Sequence, residues 1–242
     1  MLVASMALGL NTGLAGAANK DIPYPAGSDV SIEGPASVLG TADHAKSAYF
    51  AHPDIYNMKS NNNRYVLTHY PVYQQTTEYT CGPAAALTIC YWYGDKSQSE
   101  ASLKKLMNTR SCSTSLKDMV EGFRQLGWQV DSTLNSHTPL TAKDFKNWVV
   151  HYMKEGRPIL VKNVQQGGHW RVIIGYDTMG TDTLLDDVLI FQEPYDTYDH
   201  LQDGYSVENM ECFFSMWFDN QVLPEGRQAT PWVIAVPLQS NS

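Results

Sequence analysis

The chain has 242 residues, of which 43% are hydrophobic, 11% aromatic and 17% charged. This composition is typical of a folded globular protein with a sizeable core and excludes a disordered or low-complexity chain. Lys and Arg number 17 against 25 Asp and Glu, and the net charge of −8 argues against a nucleic-acid-binding protein, which has to neutralise phosphates.

The beginning of the chain predicts export. Residues 1–19 contain no charged side chain, and the apolar run ends in Ala15-Gly16-Ala17, the A-x-A pattern of a signal-peptidase site. We therefore expect residues 1–17 to be a signal peptide and the protein to be secreted or periplasmic, although the basic segment that usually opens such a peptide is missing. The alternative is a disordered or core-packed apolar N-terminus. No other stretch has the ~18–20 apolar residues of a membrane-spanning helix.

Residues 18–63 are predicted to form an extended arm. They contain four prolines, several glycines and a polar run from Ser60 to Asn63, without sustained helical or strand periodicity. Such an arm can wrap the domain, cover a cleft as a pro-segment does, or act as a linker. The remaining residues, 64–242, are predicted to form one domain with helices first and strands later.

Four helices are predicted in the first half of this domain. Each combines an apolar face at helical spacing with a start or stop signal. Ser97 or Ser99 caps the second, and Thr141 with Asp144 forms a capping box for the fourth. We expect the helices over residues 84–93, 100–107, 115–126 and 141–156.

Short β-branched runs predict strands in the second half. The Gln166-Gly167-Gly168 junction favours a hairpin between the first two, and residues 207–218 have helical periodicity with Ser206 as the N-cap. Helices followed by strands predict an α+β fold, with an N-terminal helical layer packed on a C-terminal antiparallel β-sheet. We expect the strands over residues 158–164, 169–176, 188–192 and 232–236.

Cys81 stands out chemically because it lies at the first turn of a strongly apolar predicted helix. The partial positive charge of a helix N-terminus stabilises a thiolate over a thiol. Gln75 lies six residues earlier, so a short loop can bring its amide beside the sulfur, where it would form an oxyanion hole with the Cys81 backbone N–H. Gln74 takes this place if the loop is shifted by one residue. His169, which opens a strong strand after two glycines, is the candidate base.

These motifs together resemble a known family. Gln-x5-Cys-Gly-x-Ala-Ala, Gly-His-Trp-x-Val-Ile-Ile-Gly-Tyr-Asp and a strand ending in acidic-Pro-Tyr-Asp are similar to the bacteriocin-processing (double-glycine leader) peptidase-like family of papain-clan cysteine peptidases. The resemblance covers about residues 70–236. It implies a papain-like cysteine peptidase fold, with Cys81 as the nucleophile, His169 as the general base and Gln75 in the oxyanion hole.

The family usually has an Asp before a Pro on the next strand, and this Asp orients the histidine. Here Glu193 precedes Pro194, and Asp196 follows three positions later. A glutamate can hold an imidazole tautomer as an aspartate does, with a carboxylate displaced by one methylene. Glu193 is therefore the expected third member of the catalytic triad, and Asp196 is the alternative.

The resemblance implies a secreted cysteine peptidase or amidase that cleaves a peptide or isopeptide bond of a peptide or protein through a Cys-His acyl-enzyme. Two other functions use the same residues: an acyltransferase or transpeptidase, and a catalytically silent peptide-binding module, which the Glu in place of Asp favours. No cofactor, metal or nucleic-acid partner is implied. The cleavage specificity and the oligomeric state are left open.

The alternative for Cys81 is a buried structural thiol, since free cysteines are among the most buried residues. Cys90, Cys112 and Cys212 are interpreted as packing residues, and one pair of them forms a disulfide if the compartment is oxidising. Trp170 is interpreted as packing on a sheet face.

Acidic residues cluster shortly after Glu193. Asp196, Asp199 and Asp203 precede Gly204, and we interpret them as a solvated acidic turn. A calcium loop is the alternative, although the spacing fails the EF-hand pattern.

Overall fold

The computed structural model describes residues 33–35, 44, 46–218 and 230–238. The predicted signal peptide, residues 1–17, lies outside these residues and stays a prediction. The division of the chain into a signal, an arm and one domain is likewise a prediction. Within the described part of the arm, residues 46–63 contain no helix or strand, as their composition predicts.

The described part of the chain contains five α-helices and seven β-strands. The helices are α1 (Cys81–Trp92), α2 (Glu100–Leu106), α3 (Leu116–Gln125), α4 (Ala142–Lys154) and α5 (Met210–Ser215). The strands are β1 (Arg64–Val66), β2 (Trp128–Ser132), β3 (Ile159–Asn163), β4 (His169–Asp177), β5 (Val188–Gln192), β6 (Tyr205–Asn209) and β7 (Trp232–Pro237).

The four helices predicted in the first half are confirmed, with ends that differ by a few residues. Ser99, not Ser97, caps α2, and it forms a capping box with Ser102. The Thr141 side chain caps α4 by accepting the Asp144 backbone N–H at 3.1 Å. The Asp144 carboxylate accepts the Thr141 hydroxyl rather than its backbone N–H, so the full capping box predicted there is not formed.

All seven strands belong to one antiparallel sheet. Its order is β2-β7-β3-β4-β5-β6, and β1 pairs with the far end of β4. A 3₁₀ turn at Gln165–Gly167 joins β3 to β4 and places Asn163 opposite His169, which confirms the predicted hairpin. The α+β class, with a helical layer on an antiparallel sheet, is confirmed.

The prediction of one helix over residues 207–218 is wrong in its first part. The chain first forms β6, which pairs Val207 with Ile190, and then α5, which is capped by Asn209 rather than Ser206. The apolar side chains of this segment have helical spacing, but Val207 is exposed. The ladder with β5 provides hydrogen bonds that the local pattern does not reveal.

The strands β1 and β2 are not predicted from the sequence. In β2, Trp128, Val130 and Ser132 are buried in alternation, as expected of a half-buried strand. The strand has only five residues and follows α3 directly after Gly127, which adopts a left-handed conformation with φ of 77°. An alternating pattern of only five residues is too short to be distinguished from the strong helical pattern that precedes it.

The core lies between the helices and the sheet. α1 contacts α2 and β4, and its first ten residues, Cys81 to Cys90, are buried. Trp170 is fully buried in β4, which confirms its predicted packing role. This packing fixes the N-terminus of α1 against the beginning of β4. Among the described residues, no helix is long and apolar enough to cross a bilayer.

None of the four cysteines, all of which lie among the described residues, forms a disulfide bond. Cys90 is buried, as expected of a packing residue, whereas Cys112 and Cys212 are exposed. The packing interpretation is therefore wrong for these two, and the disulfide considered for an oxidising compartment is not present.

Candidate active site

Cys81 is the first residue of α1 and is 4% exposed. The first N–H groups of an α-helix have no acceptor within the helix, so the Cys81 backbone N–H is available to a ligand. The surrounding burial limits the screening of the partial positive charge at this helix end. The thiol therefore lies in an environment that favours its anion.

A hydrogen bond joins Cys81 to His169, the first residue of β4. Burial raises the pKa of Cys81, but the hydrogen bond and charge of His169 outweigh it, and the pKa is lowered. The Trp170 backbone N–H and the charge of Lys162 act in the same direction. Burial lowers the pKa of His169, yet Glu193 and Cys81 raise it to about 9. These opposite shifts favour a thiolate and imidazolium pair.

Glu193 follows β5 and is fully buried beside His169. The imidazole Nε2 donates to Glu193 Oε1, which also accepts the Tyr195 backbone N–H at 3.1 Å. Glu193 Oε2 accepts the Tyr198 hydroxyl at 3.1 Å. Burial raises the pKa of Glu193, but the charge and hydrogen bond of His169 lower it below the usual value. Because Nε2 is engaged, Nδ1 is the ring nitrogen left for Cys81.

Asp196, the alternative third member, makes different contacts. Its Oδ2 accepts the Gly204 backbone N–H at 2.8 Å, and its own backbone N–H donates to Gln74 Oε1 at 3.2 Å. These bonds fix the turn after β5. The structure thus brings Glu193, and not Asp196, against His169.

The interpretation of a solvated acidic turn is wrong for Asp196, which is fully buried. Burial and the charges of Asp199 and Asp203 raise its pKa well above the usual range. Within the described residues, no group of three or more His, Cys, Asp or Glu side chains converges to hold a metal ion.

The two candidate glutamines differ in how their amides are used. Gln75 Nε2 donates to the Thr77 carbonyl at 2.7 Å, which leaves its second N–H, and its buried Oε1 has no partner. Gln74 is engaged at both ends of its amide, since Nε2 donates to the Glu193 carbonyl at 3.5 Å and Oε1 accepts from Asp196. Each amide nitrogen therefore keeps a second N–H, and the two glutamines differ in that Gln74 is held at both ends of its amide whereas Gln75 is held only at Nε2.

The loop between Gln75 and Cys81 is fixed by Glu100, a residue that the sequence motifs do not indicate. Glu100 begins α2 and accepts the Thr76 backbone N–H and hydroxyl at 3.1 and 2.8 Å. The Thr77 and Thr80 hydroxyls bond to each other at 2.9 Å. In the sequence, Glu100 is only an acidic residue in the first turn of a helix. Acidic residues are common there because they interact favourably with the helix dipole, so this position does not predict a contact with the loop.

Part of the arm contacts this loop. Gly34 and Pro35 are buried, and the Gly34 N–H donates to Glu78 Oε1 at 2.8 Å. The Pro35 carbonyl accepts Gln202 Nε2 at 3.5 Å. The segment 33–35 therefore bridges the loop that precedes Cys81 and the loop that follows Glu193.

Two fully buried cations near the site are also absent from the sequence predictions. Lys162 of β3 pairs in register with Trp170, and Arg171 of β4 lies with Nη1 3.7 Å from Glu193 Oε2. In the sequence, each of these two residues is a single charge within an otherwise apolar strand. The same pattern is typical of a charged side chain that faces solvent, so it does not predict a buried cation.

A helix-terminal cysteine against the first residue of a sheet strand, on an α+β fold, is the arrangement of papain-like cysteine peptidases. Residues 67–217 match the model of the Peptidase_C39 like family. Since the match covers more than half of the chain, the chain belongs to the Peptidase_C39-like family of cysteine peptidases. The resemblance found in the sequence, and with it the papain-like fold and the hydrolase class, is confirmed.

Two solved structures are similar to this chain. One is the peptidase domain of Streptococcus ComA, a bifunctional ABC transporter involved in a quorum-sensing pathway, at 20% identity and a TM-score of 0.49 over 70% of this chain and 100% of that one. The other is the peptidase domain of Streptococcus mutans ComA, at 18% identity and a TM-score of 0.38 over 69% of this chain and 98% of that one. No curated protein matches the chain.

Proposed function

We propose that this protein is an exported peptidase or amidase that cleaves a peptide or isopeptide bond through a covalent acyl-enzyme on Cys81. The observation that carries the proposal is the chain of hydrogen bonds from Cys81 through His169 to Glu193. Such a chain activates a nucleophile, holds its base and orients that base.

In the first half of the reaction, the Cys81 thiolate attacks the carbonyl carbon and forms a C–S bond. The carbonyl oxygen becomes an oxyanion, which the Cys81 backbone N–H and the second N–H of Gln75 stabilise. The C–N bond then breaks, and the His169 imidazolium gives its proton to the leaving amine.

In the second half, His169 takes a proton from water, and the hydroxide attacks the thioester carbon. The C–S bond breaks, the acyl group leaves as a carboxylic acid, and the thiolate is restored next to the imidazolium. Glu193 stays ionised throughout and keeps the imidazole Nε2 facing away from the sulfur.

The proposed compartment is the cell exterior or the periplasm, and the proposed substrate is a peptide or protein. The support for export is the uncharged run that ends in Ala15-Gly16-Ala17. The support for a peptide substrate is that the chain belongs to the Peptidase_C39 like family.

Covalent labelling tests the proposal. The full chain without residues 1–17 is incubated with a peptide vinyl sulfone, and the modified residue is located by mass spectrometry. We expect labelling at Cys81 that is lost in Cys81→Ala and in His169→Ala. Cys212→Ala removes an exposed thiol instead and serves as the matched control, with labelling at Cys81 unchanged.

Undiminished labelling in Cys81→Ala contradicts the proposal. Product analysis of peptides that the protein consumes, with and without an added amine, distinguishes hydrolysis from acyl transfer. Tight peptide binding without labelling or turnover supports the silent binding module instead.

A further inference from the structure

Arg171 is a buried cation whose position is unusual for a purely structural residue. Its side chain is 2% exposed, and the guanidinium lies 4.1 Å from the centre of the Phe191 ring. The Nε atom is buried and has no hydrogen-bond partner. Buried charges with incomplete hydrogen bonding are costly, and apolar replacements of buried ion pairs are often neutral or stabilising. Fold stability is therefore a poor reason for an arginine here.

The guanidinium joins two polar groups across the sheet. Nη2 donates to Gln165 Oε1 at 2.6 Å and to Glu208 Oε2 of β6 at 2.7 Å. Nη1 lies 3.7 Å from Glu193 Oε2. Because Arg171 belongs to β4, its side chain crosses β5 to reach β6, and Glu208 fixes its far end. The guanidinium is thus held at the side of Glu193 that faces away from His169.

The two carboxylate oxygens of Glu193 consequently have separate partners. Oε1 accepts from His169 and from the Tyr195 backbone, whereas Oε2 faces Arg171 and Tyr198. A positive charge at Oε2 favours the ionised carboxylate and one side-chain conformation. Both are required if Oε1 is to accept the hydrogen bond of the imidazole N–H.

We propose that Arg171 is a positioning residue that keeps Glu193 ionised and turned toward His169. The proposal rests on the proposed function, because it concerns the same Cys81 and His169 pair. It predicts that loss of the guanidinium charge moves the acid limit of the Cys81 thiolate to higher pH. The reason is that a protonated Glu193 no longer stabilises the imidazolium.

The other titratable side chains near Glu193 do not favour its ionised form by a positive charge. Asp196 and Asp199 lie on the turn after β5, and burial raises the pKa of both, which favours their neutral forms; any negative charge on them would disfavour the Glu193 anion. Tyr198 donates from the same turn, and its raised pKa, caused by burial and by the charge of Glu193, keeps the phenol protonated. Besides His169, Arg171 is thus the group that favours the Glu193 anion by its charge.

The test measures the rate of Cys81 alkylation by iodoacetamide between pH 3 and pH 9. The protein carries Cys112→Ser and Cys212→Ser, so that neither exposed thiol reacts. Cys90 does not interfere because it is buried and burial raises its pKa to about 12. This readout needs no peptide substrate.

We expect Arg171→Met to move the midpoint of the acid limb upward by about one pH unit, the shift that an adjacent opposite charge usually causes. Arg171→Lys keeps the positive charge, so its midpoint should lie close to that of the parent protein. Arg157→Met removes a half-buried arginine that pairs with Glu155, and it should leave the midpoint unchanged. If Arg171→Met does not fold, Arg171→Gln replaces it, since its amide can still bond to Gln165 and Glu208.

An acid limb that is the same in Arg171→Met, or in Arg171→Gln, as in the parent protein overturns the inference. A lower melting temperature with an unchanged midpoint has the same meaning, because it indicates a structural role alone. If the parent protein itself titrates near the ordinary thiol pKa of ~8.5, the proposed function fails rather than the role of Arg171.

Discussion

His169 and Glu193 are 24 residues apart in the sequence, yet the imidazole Nε2 of one donates to the carboxylate of the other. The register of β4 and β5 explains this contact. Val172 pairs with Gln192, so the next position along the ladder sets Glu193 beside Arg171 rather than beside His169. A glutamate is one methylene longer than an aspartate, and it can cover the remaining distance along the strand.

Glu193 should therefore be more sensitive to loss of charge than to loss of length. Glu193→Gln removes the anion that supports the imidazolium, and we expect kcat to fall by about 100- to 10,000-fold with KM little changed. Glu193→Asp keeps the charge but retracts it from Nε2, and its loss should be smaller. Steady-state kinetics on a cleaved peptide measure both. A Glu193→Asp variant less active than Glu193→Gln would contradict this view of the site.

The pH dependence follows from the two shifted groups. The lowered pKa of Cys81 keeps the thiolate present below the ordinary thiol range, and the raised pKa of His169 keeps the imidazolium present up to about pH 9. We expect kcat/KM to follow a bell-shaped pH profile whose alkaline limb falls near pH 9.

In His169→Ala, Cys81 loses its positive partner, so alkylation of Cys81 at pH 7 should slow and the midpoint of its pH dependence should rise. His151→Ala removes an exposed histidine and is the control. An alkaline limb near pH 6.5 would show that the imidazole is not paired.

Gln75 and Gln74 should respond differently to truncation. Gln75→Ala removes the proposed oxyanion donor, and we expect kcat to fall by about 100- to 1,000-fold, while the melting temperature falls less than in Gln74→Ala because one hydrogen bond, to the Thr77 carbonyl, is lost. Gln74→Ala instead removes two buried hydrogen bonds to the turn after β5 and should destabilise the protein by about 1–3 kcal/mol. Thermal unfolding and kinetics separate the two effects. If Gln75→Ala and Gln74→Ala lost the same amount of kcat and both kept the stability of the parent protein, the two glutamines would not have the different roles proposed for them.

Gly34 should be required where the arm contacts the loop before Cys81. Its φ is 69°, and an added Cβ would lie 2.9 Å from the Thr77 carbonyl carbon and oxygen. We expect Gly34→Ala to release the segment 33–35, with at least about tenfold faster amide hydrogen exchange there. Gly94→Ala is matched because its φ is 84° but nothing lies within 4 Å of the added Cβ. Unchanged protection of the segment in Gly34→Ala would show that this close contact does not hold the arm.

Several features of the protein are local, and the sequence predicts them. The helices over residues 81–92 and 142–154 depend on apolar spacing and on capping residues a few positions away. The motif from Gln75 to Cys81 and the motif that begins with Gly168 and His169 likewise each lie within one short segment of the chain. They are sufficient to predict the α+β class and the resemblance to a cysteine peptidase family, which the family match confirms.

Other features depend on partners that are distant in the chain. The segment after Ser206 has helical spacing, but β5 offers it a ladder, so its first residues form β6. The choice between Glu193 and Asp196 depends on which carboxylate the β4 and β5 register brings to His169. Arg171 acquires its place beside Glu193 only when β4, β5 and β6 lie side by side. The sequence by itself thus determined the fold class and singled out Cys81 and His169, whereas tertiary structure decided which groups contact them, because hydrogen bonds and charges act over a few ångströms between strands that are far apart in sequence.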